Sequence, residues 1–370
     1  MGERKYYLDW LRVIAFGLLI VFHVGMLYVT WGYNIKSPRI YPDFELFMNL
    51  LTPWRLTLLF FISGVACRFL IEKLERGGFA KDRIRRLLPV TLFGIIVLNP
   101  VQAYTELLYE GQIEPGYLDF WLNAYLVAMP FVDRIVPSWD HLWFIVYLFV
   151  YVLAFALVFR LFVLVFRRRQ RSSPIAVLLI VPGIWLAITY VLVQVVQPVT
   201  HDLVNDWANH LRWIGIFTAG VIFAPRDDVW EWLRVNRRKV LLVTVLFASV
   251  QALTLALLPS NLIRYGIVSG LYGWAVVMAL SAYAAEYLAQ PSKLLSYLTD
   301  AVLPIYVLHQ PFLIAGAFFL LPMHLPLAIE VLGLILITGI GSLATYDLVA
   351  RRFGLFRFLF GLKPQADLTA

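Results

Sequence analysis

The sequence predicts an all-α, polytopic integral membrane protein of about ten transmembrane helices, with both termini cytoplasmic. Three observations carry this. Hydrophobic residues form 61% of the 370-residue chain and charged residues only 15%, against about a quarter charged in soluble domains. Mean hydropathy is +0.78. The charges sit in short blocks between apolar runs long enough to cross ~30 Å of hydrocarbon. Lipid leaves helices and closed barrels as the only ways to pair every backbone N–H and C=O, and runs of this length select the helix.

The elements follow in order. Met1 to Lys5 and the apolar run after it have the charge layout of a signal peptide, but the run continues through Arg12 and His23 without a small-residue cleavage site. A retained first helix, Tyr7–Trp31, is therefore expected. Further spans are expected at Thr52–Ile71, Leu88–Leu108, Trp139–Phe166 and Pro174–Val196, from apolar length alone. Ala208–Ala224 is short and contains Arg212, and Val240–Leu258 follows it. Leu262–Tyr287 starts beside Arg264, and Ala301–Leu321 and Leu325–Val349 close the set. Between the third and fourth spans, Tyr109 to Ser138 is long for a connector. Within it Tyr117–Ala128, rich in Leu, Phe, Trp and Tyr, has the composition of a segment lying flat at the interface. No internal repeat or soluble domain stands out: residues 1–350 read as one membrane domain and 351–370 as a short basic cytoplasmic tail.

Orientation comes from the basic residues. With the N-terminus inside, the cytoplasmic segments hold Arg4 and Lys5, then Lys73, Arg76, Lys81, Arg83, Arg85 and Arg86. Arg167, Arg168, Arg169 and Arg171 follow, then Arg226, Arg234, Arg237, Arg238 and Lys239, then Lys293, and finally Arg351, Arg352, Arg357 and Lys363. The outside loops hold Lys36, Arg39 and Arg134. This topology accounts for the formal charge of +8 without a nucleic-acid partner. Cys67 is the only cysteine, so no internal disulfide forms. A nucleophile-elbow glycine–serine pattern, a phosphate-binding glycine loop and a zinc-binding helix motif are all missing. Neither His201 nor His210 has metal-ligand spacing, and no metal site is expected.

Ionisable residues within spans are costly to bury and are functional candidates by default. The first helix carries Asp9, Arg12 and His23. Arg12 and His23 are eleven positions apart, which at about 100° per residue returns them to nearly one face, roughly 16 Å apart along the axis. Asp9 is placed to pair with Arg12 at i,i+3. An imidazole in a desolvated site suits removal of a proton from a hydroxyl, because desolvation disfavours its charged form. It could also accept an acyl group as a nucleophile, or simply bridge two helices. His309, in the ninth span, presents the same choice.

The stretch Tyr7-Leu8-Asp9-Trp10-Leu11-Arg12, with His23 after ten intervening residues, resembles the first-helix signature of the acyltransferase family 3 membrane proteins. Leu58-Leu59-Phe60-Phe61-Ile62-Ser63-Gly64 resembles that family's second-helix motif. Arg83, Arg85 and Arg86 are similar to its basic loop motif, and Tyr306-Val307-Leu308-His309-Gln310-Pro311 to its late-helix motif. Within the family, Ser138-Trp139-Asp140-His141-Leu142-Trp143-Phe144 looks most like the subgroup containing glucans biosynthesis protein C, which is associated with succinylation of periplasmic glucans.

The resemblance implies a bacterial inner-membrane O-acyltransferase. Its donor would be cytoplasmic acyl-CoA, here succinyl-CoA, used as co-substrate with no permanently bound cofactor. Its acceptor would be a hydroxyl of a periplasmic glucan or other extracytoplasmic glycan. His23, Arg12 and His309 are then the expected catalytic residues. Asp9, Arg83, Arg85 and Arg86 lie where the coenzyme A phosphates would approach, and arginine's planar fork suits phosphate oxygens. Asp140 and His141, at the outer end of the fourth span, could bind sugar hydroxyls, although aromatic interface anchors are common beside Trp139 and Trp143. Arg55, Arg212 and Arg264, near outer span ends, could hold a succinyl carboxylate, although a single such arginine commonly snorkels to headgroups. Acetylation of a surface polysaccharide is the alternative within the family. A transporter or flippase is the alternative outside it: Pro53, Pro182 and Pro304 could break helices, but no paired pattern between the halves supports it.

Overall fold

The computed structural model describes residues 5–131, 134–258 and 261–363, with the side chains of 75, 76, 160 and 163–172 outside that description. Arg4 and the side chains of Arg76, Arg167, Arg168, Arg169 and Arg171, used above for topology, lie outside the described residues. Among the described residues no β-strand forms and thirteen α-helices follow one another. They are α1 (Tyr6–Met26), α2 (Phe44–Phe93), α3 (Asn99–Tyr109), α4 (Tyr117–Phe120), α5 (Trp143–Ser172), α6 (Ile175–Val195) and α7 (Trp207–Phe223). Then come α8 (Asp227–Val235), α9 (Arg237–Leu257), α10 (Leu262–Tyr287), α11 (Lys293–Leu320), α12 (Leu327–Thr345) and α13 (Gly354–Leu359).

Nine helical stretches among the described residues are long and apolar enough to cross a membrane. The remaining predicted span, Ala208–Ala224, is α7, which has 17 residues. The chain is thus an all-helical, multi-pass membrane protein. Apolar side chains such as Leu157 (81% exposed) and Leu242 (71% exposed) project outward from the spans. Surfaces of this kind suit lipid and would aggregate in water.

Two boundaries differ from expectation. The basic segment between the second and third spans is helical rather than a loop, because α2 continues from Phe44 to Phe93. Its Glu, Lys, Leu and Arg residues are strong helix formers, and Arg68 pairs with Glu72 at 2.6 Å along it. In the other direction, α1 ends at Met26 rather than Trp31. The Lys36 ammonium donates to the carbonyls of Met26 (2.5 Å), Val29 and Trp31 (3.0 Å), a cationic cap that satisfies C-terminal carbonyls and favours the helix dipole.

The chain forms two units interleaved in sequence. The first comprises 1–15, 46–82 and 147–299. Here α10 packs against α6, α8 and α9, and α6 against α7. Gly64 of α2 and Gly220 of α7 permit close approach of these two helices. A Cβ at Gly64 would run into the Phe217 carbonyl, and one at Gly220 into the Phe61 carbonyl. Small residues at such crossings are the membrane solution to tight helix packing, and they give Gly64 of the second-helix motif a structural reason. Helix α8 lies in what was expected to be a cytoplasmic loop; its Val229, Trp230 and Leu233 are buried.

The second unit comprises 16–45, 83–146 and 300–370. Val24, Leu27 and Tyr28 of the first helix and its exit pack with Leu313, Ile314 and Ala317 of α11 and Leu334 of α12. Glu330 of α12 is fully buried, yet accepts from Tyr28 Oη at 2.8 Å and Arg39 Nη2 at 2.7 Å. A buried carboxylate persists only with such partners. The aromatic segment after α3 folds back rather than standing free: Trp121 Nε1 donates to the Ile96 carbonyl at 2.8 Å and Tyr125 Oη to the Ile95 carbonyl at 2.9 Å. Its Leu118, Leu122 and Val127 remain exposed. The expected tail is not loose over its described part. Arg86 Nε donates to the Gly361 carbonyl at 3.0 Å, and Phe360 packs on Phe93.

Candidate active site

Helix α11 carries Pro304 and Pro311 in its interior. Proline has no N–H, so Pro311 deprives the Val307 carbonyl of its usual donor four residues on. His141 supplies the missing partner, its Nε2 standing 3.2 Å from that oxygen. A carbonyl can only accept, so His141 Nε2 carries the proton and Nδ1 is the lone-pair nitrogen. Gln102 Nε2 reaches Nδ1 at 3.3 Å. Both ring nitrogens of His141 are therefore held by protein groups, and Tyr306 Oη donates to its main-chain carbonyl. The ring is 7% exposed and acts as a strut between α3 and α11.

The same logic applied to His309 sets the protonation of its neighbour. His309 Nδ1 lies 2.5 Å from the Tyr306 carbonyl, so Nδ1 is the protonated nitrogen and Nε2 the acceptor. His309 Nε2 lies 2.9 Å from His23 Nδ1. His23 must then donate from Nδ1, which leaves its Nε2 as the unprotonated nitrogen. The two rings are nearly parallel, 5.1 Å between centroids. His309 is 1% exposed, whereas His23 is half-buried. The geometry is that of an accessible base held in one tautomer by a buried partner, which is the recurrent logic of oriented catalytic histidines.

The walls of this pair come from the segment after α1. Tyr33 stacks on His23 with ring centroids 5.9 Å apart. Asn34 takes Gln310 Nε2 on its Oδ1 at 3.0 Å and donates Nδ2 to Glu106 Oε2 at 2.6 Å. Arg134 bridges Glu106 and Asp140, the latter at 2.9 Å, and Ser138 Oγ donates to Asp140 Oδ1 at 2.9 Å. Burial works against the Arg134 charge, but Asp140 and Glu106 outweigh it and hold the guanidinium above its usual range. Asp140, expected at an acceptor-binding position, is thus engaged in an ion-pair network.

The remaining predicted residues are distributed as follows. His23, His309, His141, Asp140, Arg83, Arg85 and Arg86 belong to the second unit. Arg85 is exposed, and Arg83 and Arg86 are half-buried. Asp9, Arg12, Arg55, Arg212 and Arg264 belong to the first. Arg12 Nη1 stands 3.5 Å from Asp9 Oδ1, the pairing that i,i+3 spacing anticipates. Arg55 and Arg212 are each 6% exposed, and Tyr190 interacts electrostatically with both. The Arg212 guanidinium lies 4.2 Å from the Tyr190 ring centroid, while its Nε and Nη2 find no hydrogen-bond partner among the described residues. Arg264 is exposed at the start of α10, apart in character from these two. Among the described residues no group of three or more His, Cys, Asp and Glu is placed to hold a metal ion.

Sequence reasoning passed over Tyr33, Asn34, Glu106 and Arg134. Glu106 had a usable signal: it lies inside the predicted third span, where a carboxylate is costly and needs a partner. In the sequence Arg134 stands out only as a charge in an outside loop. Tyr33 and Asn34 sit in a loop, and nothing in their local pattern announces a contact with α11.

The structure thus presents an oriented, half-buried imidazole among buried polar partners within a multi-pass helical protein. A family model of the acyltransferase 3 type, described as "Acyltransferase domain", matches residues 5–347. The chain belongs to that family and is a membrane acyltransferase. No curated protein and no solved structure matches it.

Proposed function

We propose that this chain transfers an acyl group from acyl-CoA at the cytoplasmic side to a hydroxyl of an extracytoplasmic glycan, with His23 as the general base. The observation that carries the mechanism is the 2.9 Å His23 Nδ1···His309 Nε2 contact, continued to the Tyr306 carbonyl. His23 Nε2 takes the proton of the glycan hydroxyl as its oxygen attacks the thioester carbonyl carbon. The new C–O bond forms, the C–S bond breaks, and the departing thiolate recovers the proton from His23. While the imidazolium exists, its Nδ1–H strengthens the bond to His309 Nε2, a charge-assisted contact worth more than a neutral one.

Asp9, Arg12, Arg83, Arg85 and Arg86 are the donor-side residues. On the sequence resemblance, succinyl is the proposed acyl group and a glucan the proposed acceptor, in a bacterial inner membrane; a guanidinium such as that of Arg55, Arg212 or Arg264 would suit the succinyl carboxylate. Acetyl transfer to another surface polysaccharide is the alternative. The test is mass spectrometry of a glucan oligosaccharide incubated with purified protein and either succinyl-CoA or acetyl-CoA. An ester mass increment that depends on wild-type His23 and is larger with succinyl-CoA is expected. Transfer by His23→Ala at near wild-type turnover would remove His23 from the mechanism. Equal use of both donors by wild type and by Arg55→Gln, Arg212→Gln and Arg264→Gln would remove the succinyl assignment.

A further inference from the structure

In the polar network beside the imidazole pair, Gln310 Oε1, Gln102 Oε1 and Arg134 Nε find no hydrogen-bond partner among the described residues, and Gln310 is the one adjacent in sequence to a member of that pair. Gln310 is 5% exposed, and its Oε1 makes no hydrogen bond to any described residue. The orientation of this amide is dictated from a distance. Glu106, ion-paired to Arg134, can only accept, so Asn34 must turn Nδ2 toward it (2.6 Å). Asn34 Oδ1 then faces Gln310 and can only accept, so Gln310 must turn Nε2 toward Asn34 (3.0 Å). A flip of either amide would set acceptor against acceptor. Gln310 Oε1 is consequently a fixed acceptor awaiting a donor.

Its position follows from two adjacent-residue pairs. His309 and Gln310 are neighbours on α11, and Tyr33 and Asn34 are neighbours after α1. His309 meets His23 at 2.9 Å, Tyr33 stacks on His23, and Asn34 holds Gln310. The circuit closes, with the amide one residue from the buried member of the pair. Buried polar groups in native structures ordinarily find partners, so a carbonyl held without one beside an accessible base marks the place of a ligand's donor group.

Resting on the acyl-transfer function above, the geometry points to Gln310 as an acceptor-binding residue: its Oε1 takes the hydrogen of a glycan hydroxyl next to the one acylated, with Glu106 and Asn34 positioning it. The same atom could in principle take an amide N–H of the donor's pantetheine arm, and the two sources separate kinetically. The experiment measures KM for a glucose oligosaccharide and, separately, for succinyl-CoA in wild type, Gln310→Met, Gln310→Glu and Asn34→Leu. Gln310→Met is expected to raise acceptor KM roughly three- to tenfold, the value of one neutral hydrogen bond, with donor KM unchanged. Asn34→Leu should shift acceptor KM in the same direction by less, and Gln310→Glu, which sets a carboxylate oxygen against Asn34 Oδ1 and loses the orienting bond, should raise it as well. A monodeoxy oligosaccharide lacking the bound hydroxyl should be insensitive to Gln310→Met.

Wild-type transfer with unchanged acceptor KM in both Gln310→Met and Asn34→Leu overturns this assignment and leaves the acyl-transfer function standing. A rise in donor KM instead overturns it in favour of the pantetheine amide. Absence of any acyl transfer by wild type from succinyl-CoA or acetyl-CoA overturns the function and this assignment together.

Discussion

Replacing His309 separates an orienting partner from a passive neighbour. His309→Leu removes the acceptor for the His23 Nδ1–H at 2.9 Å, in a pocket where the ring replaced is 1% exposed. An orphaned donor in such a place costs about 1–3 kcal/mol, and loss of the enforced tautomer adds to it, because a base with its proton on the wrong nitrogen cannot act. At about 1.4 kcal/mol per decade, turnover should fall roughly ten- to several-hundredfold. His309→Gln offers a sharper comparison. Its Oε1 can occupy nearly the place of the imidazole Nε2 and accept the same proton, so turnover should stay within about tenfold of wild type. The assay is release of free coenzyme A thiol at saturating donor and acceptor, with thermal unfolding in detergent as a control for folding. His309→Leu within threefold of wild type, at unchanged stability, would refute the orienting role.

Three further outcomes follow from the structure. Glu106→Gln leaves the buried Arg134 with only Asp140; removing one member of a buried charge network costs about 3–5 kcal/mol, and a lowered unfolding midpoint should report it. Gly64→Val forces a Cβ into the Phe217 carbonyl and should destabilise the first unit by at least about 2 kcal/mol. Combined with Gly220→Val it should cost less than the sum of the two, because both act on one crossing. His201, in the loop before α7, is pushed down to about 4, chiefly by burial. Its folded value lies below the ordinary histidine value near 6.5, so the unfolded chain binds the proton more readily between those limits. The contribution is present in full above pH ~6.5 and is lost as pH falls toward 4, by about 2 kcal/mol for this half-buried ring. His201→Gln should flatten that part of the stability profile; an unchanged acid dependence would contradict the assignment.

The spans were legible because a bilayer enforces apolar length, and each of the ten predicted runs overlaps a helix. Their ends were not, because ends depend on partners distant in sequence. Lys36 caps α1 five residues before the apolar run stops, and the strong helix formers from Glu72 to Arg86 carry α2 through a segment whose charge suggested a loop. Likewise His23 and His309 could be singled out from burial cost alone, but their contact joins residues 286 positions apart. The role of Pro311 in freeing the Val307 carbonyl for His141 is a feature of the folded helix, and nothing in the sequence near Asp140 and His141 distinguishes a sugar contact from a strut. Gln310 lies within the late-helix motif yet carries no separate signal, since its importance rests on an orientation transmitted from Glu106 through Asn34.

The protonation of His23 is the most direct test. In protein with 15N-labelled histidine, reconstituted in bilayers and assigned by difference against His23→Gln, the His23 signals at neutral pH should show a protonated Nδ1 and a bare Nε2, with Nδ1–H coupled to His309 Nε2. A proton residing on Nε2 instead would mean that the nitrogen assigned to abstract the glycan proton has no lone pair to do it.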